Sequence, residues 1–142
     1  MNSDIILLNS IYINSVTAID AMSSMLRKTR EETVYDCLFE QIISYREIAN
    51  HAKKRLDEYD FTPTEKKPSE AFALSFAVNF IGLGKISPKR LAKIMINGSR
   101  EGIYDIVSCV NSCTDASQNS RLLAYRLIGI EEDNINKMIS FL

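Results

Sequence analysis

Residues 29–60 read TREETVYDCLFEQIISYREIANHAKKRLDEYD, and this stretch decides the fold. Val34, Leu38, Gln41, Tyr45, Ile48, Ala52 and Leu56 recur at steps of three or four. That spacing lines up one face of an α-helix, because 3.6 residues complete a turn. Many of the other positions are charged, so one face is built for a core and much of the rest for water. Thr29 and Glu32 have the spacing of a capping box, in which the Thr oxygen takes the third free amide and the Glu reaches back. Pro63 and Pro68 lack the amide and carry the ring that ends a helix. The stretch therefore predicts a helix over 29–60.

Working outward, residues 3–28 predict a second long helix. Leu8, Tyr12, Ser15, Ile19, Met22 and Leu26 share a face, and Ser3 or Asp4 is placed to cap it. The turn between these helices is very short, so they form an antiparallel hairpin. Residues 61–68 read as linker. A short helix is expected over 69–81, rich in Ala71, Phe72, Leu74, Phe76 and Phe80, and stopped by Gly82 and Gly84. Ser87-Pro88 restarts the chain with a cap and a first-turn proline. A helix over 88–113 follows, with Leu91, Met95, Gly98, Gly102 and Ile106 on one face. The last helix is expected over 115–141, capped by Thr114 or Asp115, with Ala124, Leu127, Glu131, Asn134, Ile135, Met138 and Leu142 inward.

Gly98, Gly102 and Gly129 lie inside helices, where each costs about 1 kcal/mol relative to Ala. They are expected to mark close packing. The competing reading breaks the third long helix at Asn97-Gly98, a common turn dipeptide. An up-down-up-down bundle needs only a few residues at the join over 61–86, so its length favours a long crossover. A helix of about 30 residues is roughly 40 Å long, and an apolar helix with extended flanks can just return that distance. The expected architecture is all-α, one domain: four long helices with a long crossover that holds the extra short one.

Three segments carry a resemblance: Gln41, Tyr45 and Ile48 in the second helix, residues 94–103 (IMINGSREGI) in the third, and residues 131–135 (EEDNI) in the fourth. Together they resemble a bacterial family of small ferritin-like bundles, similar to ferritin-like spore-coat and domain-of-unknown-function proteins. The resemblance covers almost the whole chain and implies a ferritin-like four-helix core. It implies a spore association as well, and does not by itself imply iron chemistry.

A ferritin-type di-metal site takes a Glu from each of two helices and a Glu-x-x-His pair from each of the other two. The single histidine, His51, cannot supply two such pairs. Gln41 and Ser44 stand in the second helix, Glu101 in the third, and Glu131-x-x-Asn134 in the fourth. Neutral side chains replace most of the charge that two divalent cations need. The expectation is a lost metal site, no cofactor, and a core polar layer of Gln41, Tyr45, Glu101, Glu131 and Asn134. The alternative for Glu131 is a position at the rim.

Other chemistry is thin. Cys109 and Cys113 share a helix face. With an odd number of thiols, Cys37 included, free cysteines in a reducing cytoplasm are expected. A long crossover would put Cys37 at the other end of the bundle from that pair. His51 and Glu47 have the spacing of a surface pair. No nucleophile elbow, Walker loop or dinucleotide fingerprint occurs. The net charge of −1 gives no basic footprint for nucleic acid. The N-terminus lacks a charged region and cleavage site for a secretory signal, and no membrane span is expected. The apolar 69–81 helix either covers a bundle flank or joins a homodimer. The resulting expectation is a non-catalytic structural or protein-interaction bundle, and the alternative is a metal- or small-ligand-binding one with a degenerate core site.

Overall fold

The computed structural model describes residues 2–64 and 84–142. Four long helices make up this part: α1 (Ser3–Leu26), α2 (Glu32–Glu58), α3 (Pro88–Ser112) and α4 (Gln118–Ile139). The expected helix over 69–81, and any dimer contact through it, lie outside the described residues.

All seven residues of the predicted α2 stripe are buried. α1 buries Leu7, Leu8, Ile11, Ser15, Ala21, Met22 and Met25, a broader face than the stripe read from sequence. α3 runs unbroken through Asn97 and Gly98.

The helix ends depart from expectation in three places. α2 starts at Glu32 behind an N-cap, Glu31, that makes no side-chain cap bond. Thr29 instead is buried and takes the Glu31 amide at 3.3 Å, so no capping box forms. α1 is capped by Asn2, whose Oδ1 accepts from the Asp4 amide at 2.7 Å. α4 is capped by Ser117, not Thr114 or Asp115. The Ser87-Pro88 start holds, with Ser87 Oγ accepting from the Arg90 amide. α2 ends before either proline: Asp60 adopts a left-handed φ of 53° and the Phe61 amide returns to the Leu56 carbonyl. That six-to-one bond is the Schellman closure.

Hydrogen bonds fix the connectivity. After α2, Thr64 pairs with Asn9 in the second turn of α1, through its hydroxyl and its amide. The chain re-enters the described structure beside the other end of α1. There the Ile86 amide donates to the Lys28 carbonyl at 2.8 Å, and Lys85 Nζ to the Arg27 carbonyl. Asn9 and Lys28 are roughly 28 Å apart along a helix. The join therefore leaves one end of the bundle and arrives at the other. α3 runs antiparallel to α1 and parallel to α2. α4 then returns beside α2, as the Arg55–Ser117, His51–Arg126 and Tyr45–Glu131 contacts show. α1 packs on all three other helices.

α1 is also the most apolar of these four helices. Ser3–Leu26 carries a window of mean hydropathy 1.4 and is long and apolar enough to cross a bilayer. A core helix passes the same test, and here 33% of that window is buried within the bundle.

Candidate functional site

Near mid-height, α2, α3 and α4 contribute polar side chains to one layer. Glu131, on the inward stripe of α4, is 2% exposed, which excludes the rim position. Its Oε2 accepts from the Tyr45 hydroxyl of α2 at 2.7 Å. The Ser99 hydroxyl of α3 donates to the same carboxylate and accepts from Asn134 Nδ2 at 2.8 Å. Burial pushes the Glu131 carboxyl up to about 7, against the pull of Tyr45 and Ser99. Removing water penalises the charged form, and the neutral donors return only part of that penalty. Burial, and then the neighbouring Glu131, hold the Tyr45 phenol well above its ordinary range.

The layer is not fully satisfied. Gln41 Oε1 and Asn134 Oδ1 are buried without a partner, as is Thr17 Oγ1 on α1. A buried acceptor without a donor costs about 1–3 kcal/mol. Gln41 is buried as expected, but its carbonyl stands outside the Tyr45–Glu131–Ser99–Asn134 chain of bonds.

Beside this layer, between α1 and α3, lies a cleft of about 280 Å³. Tyr45 and Glu131 reach its wall. Ile13, Ala18, Ala21 and Met25 of α1 face Ile94 and Ile106 of α3 across it. Polar groups enter from Asn14, Thr17 and Ser99. Glu101 and Asp105, one turn apart, complete it from α3. Partial burial, and then repulsion from Glu101, raise the Asp105 carboxyl. Glu101 is thus a cleft residue and not part of the bonded layer.

The three glycines separate here. A Cβ on Gly102 would sit 2.7 Å from Glu131 Oε1 and 3.3 Å from Asn14 Nδ2. Asn14 donates to the Gly102 carbonyl at 3.0 Å. Close packing at Gly102 is therefore real, though the neighbour is a carboxylate and not a crossing backbone. Gly98 is half-buried and lines the cleft. Gly129 corrects the expectation: it is exposed, and a Cβ there would meet nothing within 4 Å.

Sequence reasoning missed Ser99, Asn14, Thr17 and Asp105. Ser99 falls in helical register with Met95, Gly102 and Ile106, a stripe as regular as the one drawn through Gly98. Asn14, Thr17, Ala18 and Ala21 form a small-residue face on α1, legible only once α3 is known to lie across it.

The remaining candidates do not join the site. His51 meets Arg126 Nη1 at 3.3 Å instead of Glu47. A guanidinium can only donate, so His51 Nδ1 accepts. Cys109 and Cys113 approach to 3.8 Å, and Cys109 also meets Ser10. Cys37 lies near Lys137 at the other end of the bundle, where burial raises its thiol. Among the described residues no group of three or more His, Cys, Asp and Glu side chains is placed to hold a metal ion.

No family model matches the chain, and no curated protein matches it. Among solved structures it is similar to the crystal structure of a DUF305 fragment from Deinococcus radiodurans. The TM-score is 0.78 at 16% identity, over 99% of this chain and 95% of that one. At that identity the likeness is one of fold: the described residues form four helices and no strand, with the fold of that fragment.

Proposed function

We propose that the chain is a small-ligand-binding helical bundle whose binding site is the cleft between α1 and α3. The observation that carries this reading is the cleft itself: about 280 Å³ with apolar walls, and a buried carboxylate presented to it by Tyr45 and Ser99. Ligand sites are largely apolar hollows with a few converging polar groups, at roughly 300–1,000 Å³. This one lies just below that range, so the ligand is small. The ferritin-like reading of the bundle belongs with this proposal. Its support is the return of the chain between α2 and α3 to the opposite end of α1. The site is then the place where a carboxylate layer has been rebuilt with Tyr, Ser and Asn.

Ligand-observed NMR with a small-molecule library tests the proposal. Wild type should yield binders that lose binding to an Ala18→Phe variant, whose ring enters the cleft. Binders that hold equally well to that variant would remove the cleft as the site.

A second reading, a structural or protein-interaction bundle, is favoured by a different surface. Tyr35, Phe39 and Ile43 follow one another by four residues along α2, each 43–51% exposed. An exposed apolar stripe of this kind suits a protein partner.

A further inference from the structure

We infer that the cleft between α1 and α3 takes an organic monocation, a small amine whose ammonium group meets Glu131 and whose apolar body lies between Ala18, Ala21 and Ile106. The inference rests on the reading of the cleft as a binding site and names its ligand class.

The charges around the cleft point one way. Three carboxylates line it, Glu101, Asp105 and Glu131. Among the described residues lining it there is no Lys, Arg or His. From α1 come Asn14 and Thr17, and from α2 comes Tyr45, all uncharged at neutral pH. Thr17 Oγ1 is buried at the cleft and lacks a partner, so a hydroxyl that can accept from an ammonium is left open there. An ammonium brings up to three donors and the missing positive charge. An anion would be repelled by the carboxylates, and a neutral molecule would bring no positive charge to set against them. Gly102 completes the fit: with no Cβ, it leaves Glu131 Oε1 the space that a side chain would fill.

Size narrows the class further. The cleft holds a body no larger than a single ring or a short alkyl chain. Glu131 lies behind the apolar walls, so the charge sits at one end of the ligand. Because Glu131 titrates near 7, a cation that requires its ionised form competes with a proton. Its affinity should rise from pH 6 to pH 8 by about tenfold.

Three isosteric probes test this: benzylamine, benzyl alcohol and benzoate, titrated into ¹⁵N-labelled full-length protein at pH 6 and pH 8. The amides of Gly98 and Gly102 are the reporters. Benzylamine should bind at least tenfold more tightly than benzyl alcohol at pH 8 and lose about tenfold at pH 6. Benzoate should shift neither amide. Glu131→Gln should erase the preference for the amine and its pH dependence. Should that variant fail to fold, the pH series on the native protein and a Glu101→Gln/Asp105→Asn variant carry the test, the latter weakening benzylamine alone. Equal binding of amine and alcohol would overturn the cation class while leaving the cleft a binding site. A preference for benzoate, or no amide shift with any probe, would overturn the inference outright. The Ala18→Phe experiment judges the cleft separately.

Discussion

Two carboxylates respond in opposite directions to the same fold. Asp4 sits at the end of the bundle where α1 begins, α2 ends and α4 begins. Its Oδ1 accepts from the Ser117 amide at 2.7 Å and its Oδ2 from the Tyr59 hydroxyl at 2.8 Å. Partial burial works to raise it, and the bonds from Ser117, Ser120 and Tyr59 outweigh that, holding it below its ordinary range. Glu131 also receives two hydroxyl donors, and it is pushed up. The difference is water. Asp4 keeps most of its hydration, so donors add to a charge already supported. Glu131 has lost it, and neutral donors cannot replace both solvent and a counter-charge. Asp4 is a fastening; Glu131 is a group left short of a cation.

The largest consequence is in stability against pH. Glu131 has a folded value of about 7 against an ordinary 4.5, so the folded state holds a proton that the unfolded chain releases. Between those values stability falls as pH rises. The full effect is about 3 kcal/mol, lost by pH 8. Urea denaturation at pH 5 and pH 8 measures it. Glu131→Gln, which keeps an acceptor for Tyr45, should flatten the profile. A wild-type profile already flat over this range would mean that Glu131 has a counter-charge in solution.

The glycines give a smaller and internally controlled comparison. Gly129→Ala should stabilise by up to about 1 kcal/mol, since Ala is the better helix former and its methyl meets nothing. Gly102→Ala has the same helix gain but drives a methyl against Glu131, which Tyr45 holds in place. Overpacking of this kind costs about 1–3 kcal/mol. The two variants should therefore differ in sign, read as urea midpoints at pH 7. If both stabilise, the Glu131 carboxylate can move aside, and it is less firmly held than its bonds suggest.

Much of the bundle was legible because helix periodicity is local. The α2 stripe from Val34 to Leu56 needed no knowledge of its neighbours. Glu131 and Asn134 were legible for the same reason, standing on the α4 stripe. What failed depends on residues far apart in the chain. The start of α4 is set by Ser117, whose amide is taken by Asp4 more than a hundred residues away, and no pattern near Thr114 records that. Thr29 had capping-box spacing, yet its hydroxyl bonds two residues ahead and the side chain is buried. Gly129 shows an avoidable error. It lies two residues from both Leu127 and Glu131, which puts it on the far side of the helix. The cleft was not legible, because it needs the pairing of α1 with α3, and that follows from the direction in which the chain returns after α2.

The smallest expected effect is at Asp4, and salt separates it from Glu131. Asp4 lies at the first turn of α1 and against the N-cap of α4, where a negative charge complements two helix dipoles. Its lowered value means that the contribution is present above the ordinary carboxyl range and is lost as pH falls through and below it. Asp4→Asn keeps an oxygen for the Ser117 amide and removes only the charge. The cost should be under about 1 kcal/mol at pH 7, since the group is only partly buried and its charge is screened by solvent. Because the charge stays in contact with water, 1 M NaCl should shrink that cost, the Debye length there being about 3 Å. The Glu131 slope arises from lost hydration in the core and should survive the same salt. Urea midpoints of wild type, Asp4→Asn and Glu131→Gln in low and high salt would read both. If salt flattens the wild-type pH profile as well, the rise of Glu131 comes from surrounding charge such as Glu101 and Asp105, not from burial.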